Sequence, residues 1–298
     1  MKAVHKSVLY KEALEALQIN KNETYVDATV NGGGHTKGIL ERGGRVLGID
    51  VDPTSIKYAA EAFSLPLKTE NNLLYTESEK LILTCGNFAQ LGKTANRFRV
   101  SKLAGVLFDL GLSSLQLESA ERGFSFTKEG PLDMRMDPAL AVSAADLIKV
   151  LNEGELYELF NKYGEEPCSR RLARAIVQAR VAGEIKTTKN LAEIIEKSAP
   201  KYARLHPATR VFQALRIAVN DELNNLKKGL SEAKVLLKKE GRLVVISFHS
   251  LEDRIVKKFF TESGDLRVLS KKPIVPSREE ISENPRSRSA KMRVAEKI

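Results

Sequence analysis

Apolar positions recur along the chain with two different spacings, and the change from one to the other divides it. Residues 8–17, VLYKEALEAL, place Val8, Leu9, Ala13, Leu14 and Leu17 on one helical face. Residues 24–30 and 45–49 are short continuous apolar runs, which predict buried strands. Between them, TKGILERGG predicts a helix closed by Gly43. Asp52 and Pro53 then predict the start of a helix running through SIKYAAEAF, with Asp52 as its cap and Pro53 in its first turn. Residues 64–80 are polar and without clear period, so a loop or small excursion is expected there. LILTCGNFAQL predicts a strand and a turn, and LAGVLFDLG, residues 103–111, a strong strand ending in Asp109. Strand and helix alternating in this way predict an α/β fold, a mostly parallel sheet with crossover helices.

From about residue 118 to 210 the strand pattern is lost. ADLIKVLNEGELYELFNKYG, SRRLARAIVQARVAG and NLAEIIEKSAP read as short helices separated by Gly and Pro. TRVFQALRIAVNDELNNLKKGL carries Phe212, Leu215, Val219, Leu223 and Leu226 as one long helical stripe, with Thr209 as its expected cap. SEAKVLLKKEG predicts a further helix, and GRLVVISF, residues 241–248, a strand. The expected organisation is a discontinuous parallel-sheet domain, residues 1–117 and 211–298, interrupted by an all-helical insert, residues 118–210.

Composition narrows the class. With 42% hydrophobic and 29% charged residues among 298, the chain can bury a large core. It has no run of eighteen apolar residues, so no membrane span is predicted, and its first residues turn charged too early for a signal peptide. Cys85 and Cys168 lie far apart with no zinc spacing, which points to a reducing cytoplasm, two small side chains that are buried or half-buried, and no metal-ligand cluster. The formal net charge of +10 favours a polyanionic partner, although a basic soluble enzyme accounts for it equally well.

The candidate chemistry lies at the ends of the predicted strands. NGGGH, residues 31–35, bends the chain from a strand into a helix, where free backbone N–H groups suit a pyrophosphate or the polar tail of another nucleoside cofactor. Asp50 ends the next strand, where a carboxylate can accept both hydroxyls of a ribose. The stretch is neither G-x-G-x-x-G nor a P-loop, and by itself fits a structural turn beside a surface aspartate. Asp109 ends a further strand on the same carboxyl edge, the ligand edge of open α/β sheets. Phe88 is placed to stack on a purine or to pack in the core.

Longer stretches are more specific. HKSVL at 5–9, DATVNGGGHT at 27–36, GIDVDP at 48–53, FDLGLSSLQL at 108–117, ERGFSF at 121–126, GPLDMRMDP at 130–138, HPATRVFQALRIAVNDEL at 206–223, ISFHSLEDRIVK at 246–257 and NPRSRSAKMRVAEK at 284–297 occur in this order. Together they resemble the bacterial small-subunit rRNA methyltransferase H family, also called MraW, almost end to end. The resemblance implies a class I, Rossmann-like methyltransferase fold whose helical insert recognises substrate. It implies S-adenosylmethionine as cofactor and, as substrate, the exocyclic N4 of a cytidine in the decoding centre of 16S rRNA, within the small ribosomal subunit or free. Gly33, Gly34 and His35 would meet the methionine end of the cofactor, Asp50 the ribose and Phe88 the adenine, with Asp109 and Gln116 completing the site. Asn31 stands where the family usually has glycine, and asparagine is the other residue at ease in a left-handed turn.

Asp109 and His249 are the expected catalytic residues. Asp109, or a main-chain carbonyl in 110–112, would accept an amine proton; Asp109 as a cofactor ligand alone is the competing assignment. RNA contacts are expected from Arg171 and Arg174 on one helix face, and from Arg286, Arg288, Lys291 and Arg293 near the C-terminus. A homodimer stays open. The rival readings are a nicotinamide-dependent dehydrogenase, a methyltransferase of another RNA or DNA amino group, and a non-catalytic rRNA-binding assembly factor.

Overall fold

The computed structural model describes residues 6–71, 73–199 and 206–298. His5, which opens the HKSVL motif, and Pro200, which ends NLAEIIEKSAP, lie outside the described residues. The chain divides into two compact units, Met1–Ser114 with Leu223–Ile298, and Leu115–Glu222.

The first part of the sheet unit follows the predicted alternation. Helix α1 (Tyr10–Leu17) leads into β1 (Thr24–Asp27), α2 (Gly34–Glu41), β2 (Arg45–Asp50) and α3 (Pro53–Ala62). Asp52 caps α3 by accepting the Thr54 N–H, and Pro53 fills its first position. Gly43, at φ +87°, turns the chain after α2. Then come β3 (Lys68–Glu70), β4 (Leu73–Glu77), β5 (Leu81–Cys85), α4 (Leu91–Arg97) and β6 (Leu103–Asp109). The polar stretch 64–80 is therefore no loop: β3 and β4 form an antiparallel hairpin whose second strand pairs with β5 and widens the sheet. Its strands are mostly exposed or half-buried, so they lack the apolar alternation that marks a core strand.

The second unit is helical: α5 (Ser114–Glu118), α6 (Ala144–Val150), α7 (Glu153–Gly164), α8 (Ser169–Ala182), α9 (Thr188–Ser198) and α10 (Ala208–Asn220). Capping boxes at Ser143, Asn152 and Thr187 start α6, α7 and α9. The expected cap Thr209 instead lies inside α10, whose N-cap position is Pro207 and whose first N–H, that of Ala208, is met by His206 Nδ1. The long stripe through residues 209–230 is broken at Asp221, which takes φ +48° and ends α10. Because α10 packs with this unit, the division falls at residue 222 and not at 210.

The chain returns through α11 (Glu222–Leu236), β7 (Leu237–Ser247), α12 (Ser250–Glu262), β8 (Leu266–Val268), α13 (Arg278–Glu283) and β9 (Lys291–Lys297). The nine strands lie in the order β3-β4-β5-β2-β1-β6-β7-β9-β8. The five central ones, β5, β2, β1, β6 and β7, are parallel, and β9 runs antiparallel to β7. Strand β6 is buried along its whole length, as expected with helices on both faces. The order reverses at β1, since β2 lies on one side of it and β6 on the other. In open α/β sheets such a reversal, at the carboxyl edge, is where ligands bind. Parallel strands also share a polarity, so Asp27, Asp50, Cys85, Asp109 and Ser247, their last residues, all come to that edge.

Candidate active site

The turn between β1 and α2 is held by its own backbone. Gly33 donates to the Val30 carbonyl at 2.7 Å, and Val30 donates to the Ile49 carbonyl at 3.1 Å. Asn31 and Gly33 both take positive φ, +49° and +77°. Asparagine tolerates the left-handed region, so the turn expected of Asn31 is kept. Gly34 meets a different constraint: a Cβ there would come 2.1 Å from Ser7 Oγ. The HKSVL and GGGH motifs are therefore packed against each other.

Both carboxylate oxygens of Asp50 serve this turn. One accepts the Asn31 N–H at 2.8 Å, the other the Asp52 N–H at 2.9 Å. Each keeps a lone pair for a further donor such as a ribose hydroxyl. Asp27 accepts the Thr36 hydroxyl at 2.7 Å, which fixes the start of α2 to the end of β1. Asp109 takes its place beside them: its N–H donates to Thr29 Oγ1 at 2.6 Å, and its Oδ2 lies 3.6 Å from His35 Nδ1. His35 also stacks on Tyr10 with ring centroids 5.9 Å apart.

These three carboxylates are buried, and no Lys or Arg among the described residues pairs with them. Burial pushes the proton affinity of Asp27 and Asp50 up to about 7 in each case, against the opposing pull of their hydrogen bonds. Asp109 is raised well above the ordinary carboxylate range, first by burial and then by Asp27 and Glu252. Its Oδ1 is buried with no hydrogen-bond partner among the described residues. A buried, unpartnered acceptor in a cluster of acids calls for a bound donor or cation. A nucleoside cofactor carrying a sulfonium and an ammonium group answers that need: hydroxyls for Asp50, positive charge for Asp109. The residues present fit S-adenosylmethionine.

The model of the MraW methylase family matches residues 2–298. The chain belongs to that family. It is a methyltransferase, and S-adenosylmethionine is the methyl donor of its family. It is 48% identical to the ribosomal RNA small subunit methyltransferase H of Deinococcus deserti, over 99% of this chain and 94% of that protein. To the protein of the same name from Geobacter sulfurreducens it is 44% identical, over 99% of each. Dehalococcoides mccartyi has another at 46%, covering 99% of this chain and 86% of the relative. Among solved structures, a Streptococcus mutans protein in complex with SAH aligns over 97% of both chains, with 12% identity and a TM-score of 0.45.

The remaining expected residues of this methylase are placed as follows. Phe88 stands three residues beyond β5, half-buried, edge-on to Phe108 at 5.4 Å and against Gly229 of α11. His249 caps α12: Glu252 N–H donates to its Nδ1 at 3.4 Å, and Glu252 Oε2 accepts the Phe248 N–H at 2.8 Å. Gln116 is buried on α5 and belongs to the helical unit. The sheet unit thus brings together Asn31, Gly33, Gly34, His35, Asp50 and Asp109, with Phe88 and His249 at the ends of neighbouring strands.

Arg171 and Arg174 are exposed on α8, opposite buried Leu172 and Ile176; Arg174 faces Glu153 at 3.4 Å. Arg286 and Arg288 are exposed, and Arg286 donates to Ser114 Oγ at 2.6 Å. Lys291 is half-buried, with its amine 3.7 Å from Asp253. Arg293 is corrected: it is buried on β9 and bidentate to Asp253 at 2.6 and 3.1 Å, so it holds α12 to the sheet and has no surface to offer RNA. Asp27 opens the DATVNGGGHT motif but is not among the residues expected from the sequence to form the site. Its signature, an acid closing an apolar run, is the same one that marks Asp50 and Asp109.

Proposed function

We propose that this methylase transfers a methyl group from S-adenosylmethionine to the exocyclic N4 of a cytidine in the decoding centre of 16S rRNA. The observation that carries the chemistry is Asp109: a buried carboxylate at the reversal of strand order, with one oxygen left for a ligand. The rRNA substrate is supported by relatives at 44–48% identity that bear the name of a small-subunit rRNA methyltransferase.

When bound, the cofactor supplies an electrophilic methyl carbon. The protein's part is to hold the reactants and take up a proton. Cytidine N4 is a weak nucleophile, because its lone pair is shared with the ring, so most of the catalytic work is positioning. As the new N–CH3 bond forms and the S–CH3 bond breaks, the amine must lose one proton. Asp109 Oδ1 is the acceptor offered by the site, and burial makes its ionised form a stronger base than an exposed carboxylate. Asn31 and Asp50 hold the turn in place, and His35 holds Asp109. His249 fixes the start of α12 beside them.

The RNA backbone is met by the sheet unit. Residues 115–222 contain sixteen Lys and Arg against sixteen Asp and Glu, so the whole +10 belongs to the rest of the chain. Residues 223–298 alone hold eighteen against ten, with Arg286, Arg288 and Lys291 among them. Phosphate contacts follow such an excess. Arg171 and Arg174 sit in a neutral unit and make the weaker pair of contacts.

The test is methylation by purified protein of small ribosomal subunits from cells lacking the enzyme. Labelled methyl groups should enter one cytidine of the decoding region as N4-methylcytidine. Incorporation at another atom or another nucleotide would overturn the assignment, and no incorporation with intact cofactor binding would favour an assembly factor.

A further inference from the structure

Two of the motifs, ERGFSF and HPATR, meet in the helical unit. Phe126 and His206 stack with ring centroids 4.4 Å apart and planes 19° from parallel. Phe212, buried on α10, braces Phe126 edge-on at 5.3 Å. Both nitrogens of His206 are engaged. The Ala208 N–H donates to Nδ1 at 3.2 Å, so the ring proton lies on Nε2, which donates to Glu196 at 2.9 Å. The imidazole is thereby a rigid plate, held at both of its nitrogens. Its side chain is nonetheless 38% exposed.

A fixed planar ring backed by a second ring is costly to build for capping alone, since a serine or asparagine would cap as well. It is suited to stacking on a third flat group, which gains most where the plate is already ordered. The charge of the unit says what that group is. With as many acids as bases, residues 115–222 release few counterions from a phosphate backbone. Beside the weaker phosphate contacts of Arg171 and Arg174, recognition of RNA by this unit then draws on bases, and single-stranded RNA is read by stacking unpaired bases on aromatic side chains.

We infer that His206, supported by Phe126, is a stacking platform for an unpaired nucleobase of the rRNA substrate. The inference rests on rRNA being the substrate. Three variants separate stacking from capping. His206→Asn keeps a cap acceptor and loses the ring, His206→Tyr keeps a ring and loses the acceptor, and His206→Ala loses both. Affinity for unmethylated small subunits and for naked 16S rRNA is measured, together with kcat, KM, thermal stability and S-adenosylmethionine affinity.

His206→Asn and His206→Ala should weaken RNA binding by about tenfold to a hundredfold, the range expected for one stacked base. KM should rise in step, with kcat and cofactor affinity unchanged. His206→Tyr should restore binding. If His206→Asn binds as wild type does, or His206→Tyr is as weak as His206→Ala, the platform is overturned while the substrate assignment stands. Loss on intact subunits but not on naked rRNA would place a ribosomal protein on this face and also overturn it. Wild-type protein that binds neither RNA would remove the substrate assignment and the platform with it.

Discussion

The Asn31 N–H donates to the Asp50 carboxylate at 2.8 Å, and this bond joins the glycine turn to the end of the neighbouring strand. It exists because Asn31 holds φ at +49°, which aims its N–H across the turn. One acid therefore ties two segments together, accepting the Asn31 N–H with one oxygen and the Asp52 N–H with the other.

Asn31→Gly should preserve that geometry, with stability within about 0.5 kcal/mol of wild type, because glycine reaches the left-handed region freely. Asn31→Val should cost roughly 1–2 kcal/mol and weaken S-adenosylmethionine binding, because a β-branched residue is strained there. Thermal melts and equilibrium cofactor binding check both.

The buried acids set a pH dependence. Asp27 and Asp50 bind protons up to about pH 7 in the folded state, against an ordinary value of 3.8. A carboxylate raised by folding favours the folded state when protonated. Its contribution is full below about pH 4, is lost as pH rises through 7, and stays lost above. At most it amounts to roughly 4 kcal/mol per group. The cofactor-free protein should therefore lose thermal stability between pH 5 and 8, and Asp27→Asn should flatten that fall. Melts of both proteins at the two pH values decide it; an unchanged slope in the variant removes Asp27 as a cause.

Asp109→Asn separates proton acceptance from cofactor binding. An acceptor role predicts cofactor affinity within about threefold of wild type and turnover lowered by about a hundredfold or more, as general-base losses run. A matched fall in both would make Asp109 a cofactor ligand only. Isothermal titration and single-turnover methylation give the two numbers.

His249 is a helix cap with Glu252 as its partner. His249→Ser should leave stability nearly unchanged, whereas His249→Ala should cost about 1 kcal/mol. If the imidazole also touches substrate, kcat or KM will fall behind wild type in the serine variant at unchanged melting temperature. Serine activity equal to wild type would confine His249 to capping.

Arg286 and Arg288 are exposed on the unit that holds the positive excess. Reversing both to Glu should weaken binding to rRNA and flatten its dependence on salt by about two phosphate contacts. The same reversal of Arg171 and Arg174 should change the slope less. Equal slopes for the two double variants would refute the division of labour.

Much of the site is legible as text because each piece is a local device. An apolar run ending in an acid marks the last residue of a strand, and Asp52 with Pro53 marks a helix start, since both depend on neighbours in sequence. The hairpin at 64–80 escapes this reading: its strands draw their order from pairing, β3 with β4 and β4 with β5, and not from an apolar face. The break at Asp221 escapes it too. The stripe of apolar residues continues across it, and only a backbone turned left-handed at one position separates α10 from α11.

The amino-acid sequence by itself determined the strand ends, the glycine turn, the sheet-and-helix order and the family, because those rest on spacing and on long runs of matching residues. Tertiary structure decided what those residues face. It put three acids from neighbouring strands into one buried cluster with no Lys or Arg among the described residues paired to it, turned Arg293 inward to Asp253, and stacked His206 on Phe126. Burial and pairing are properties of neighbours in space, and the chain acquires them only when the sheet is assembled.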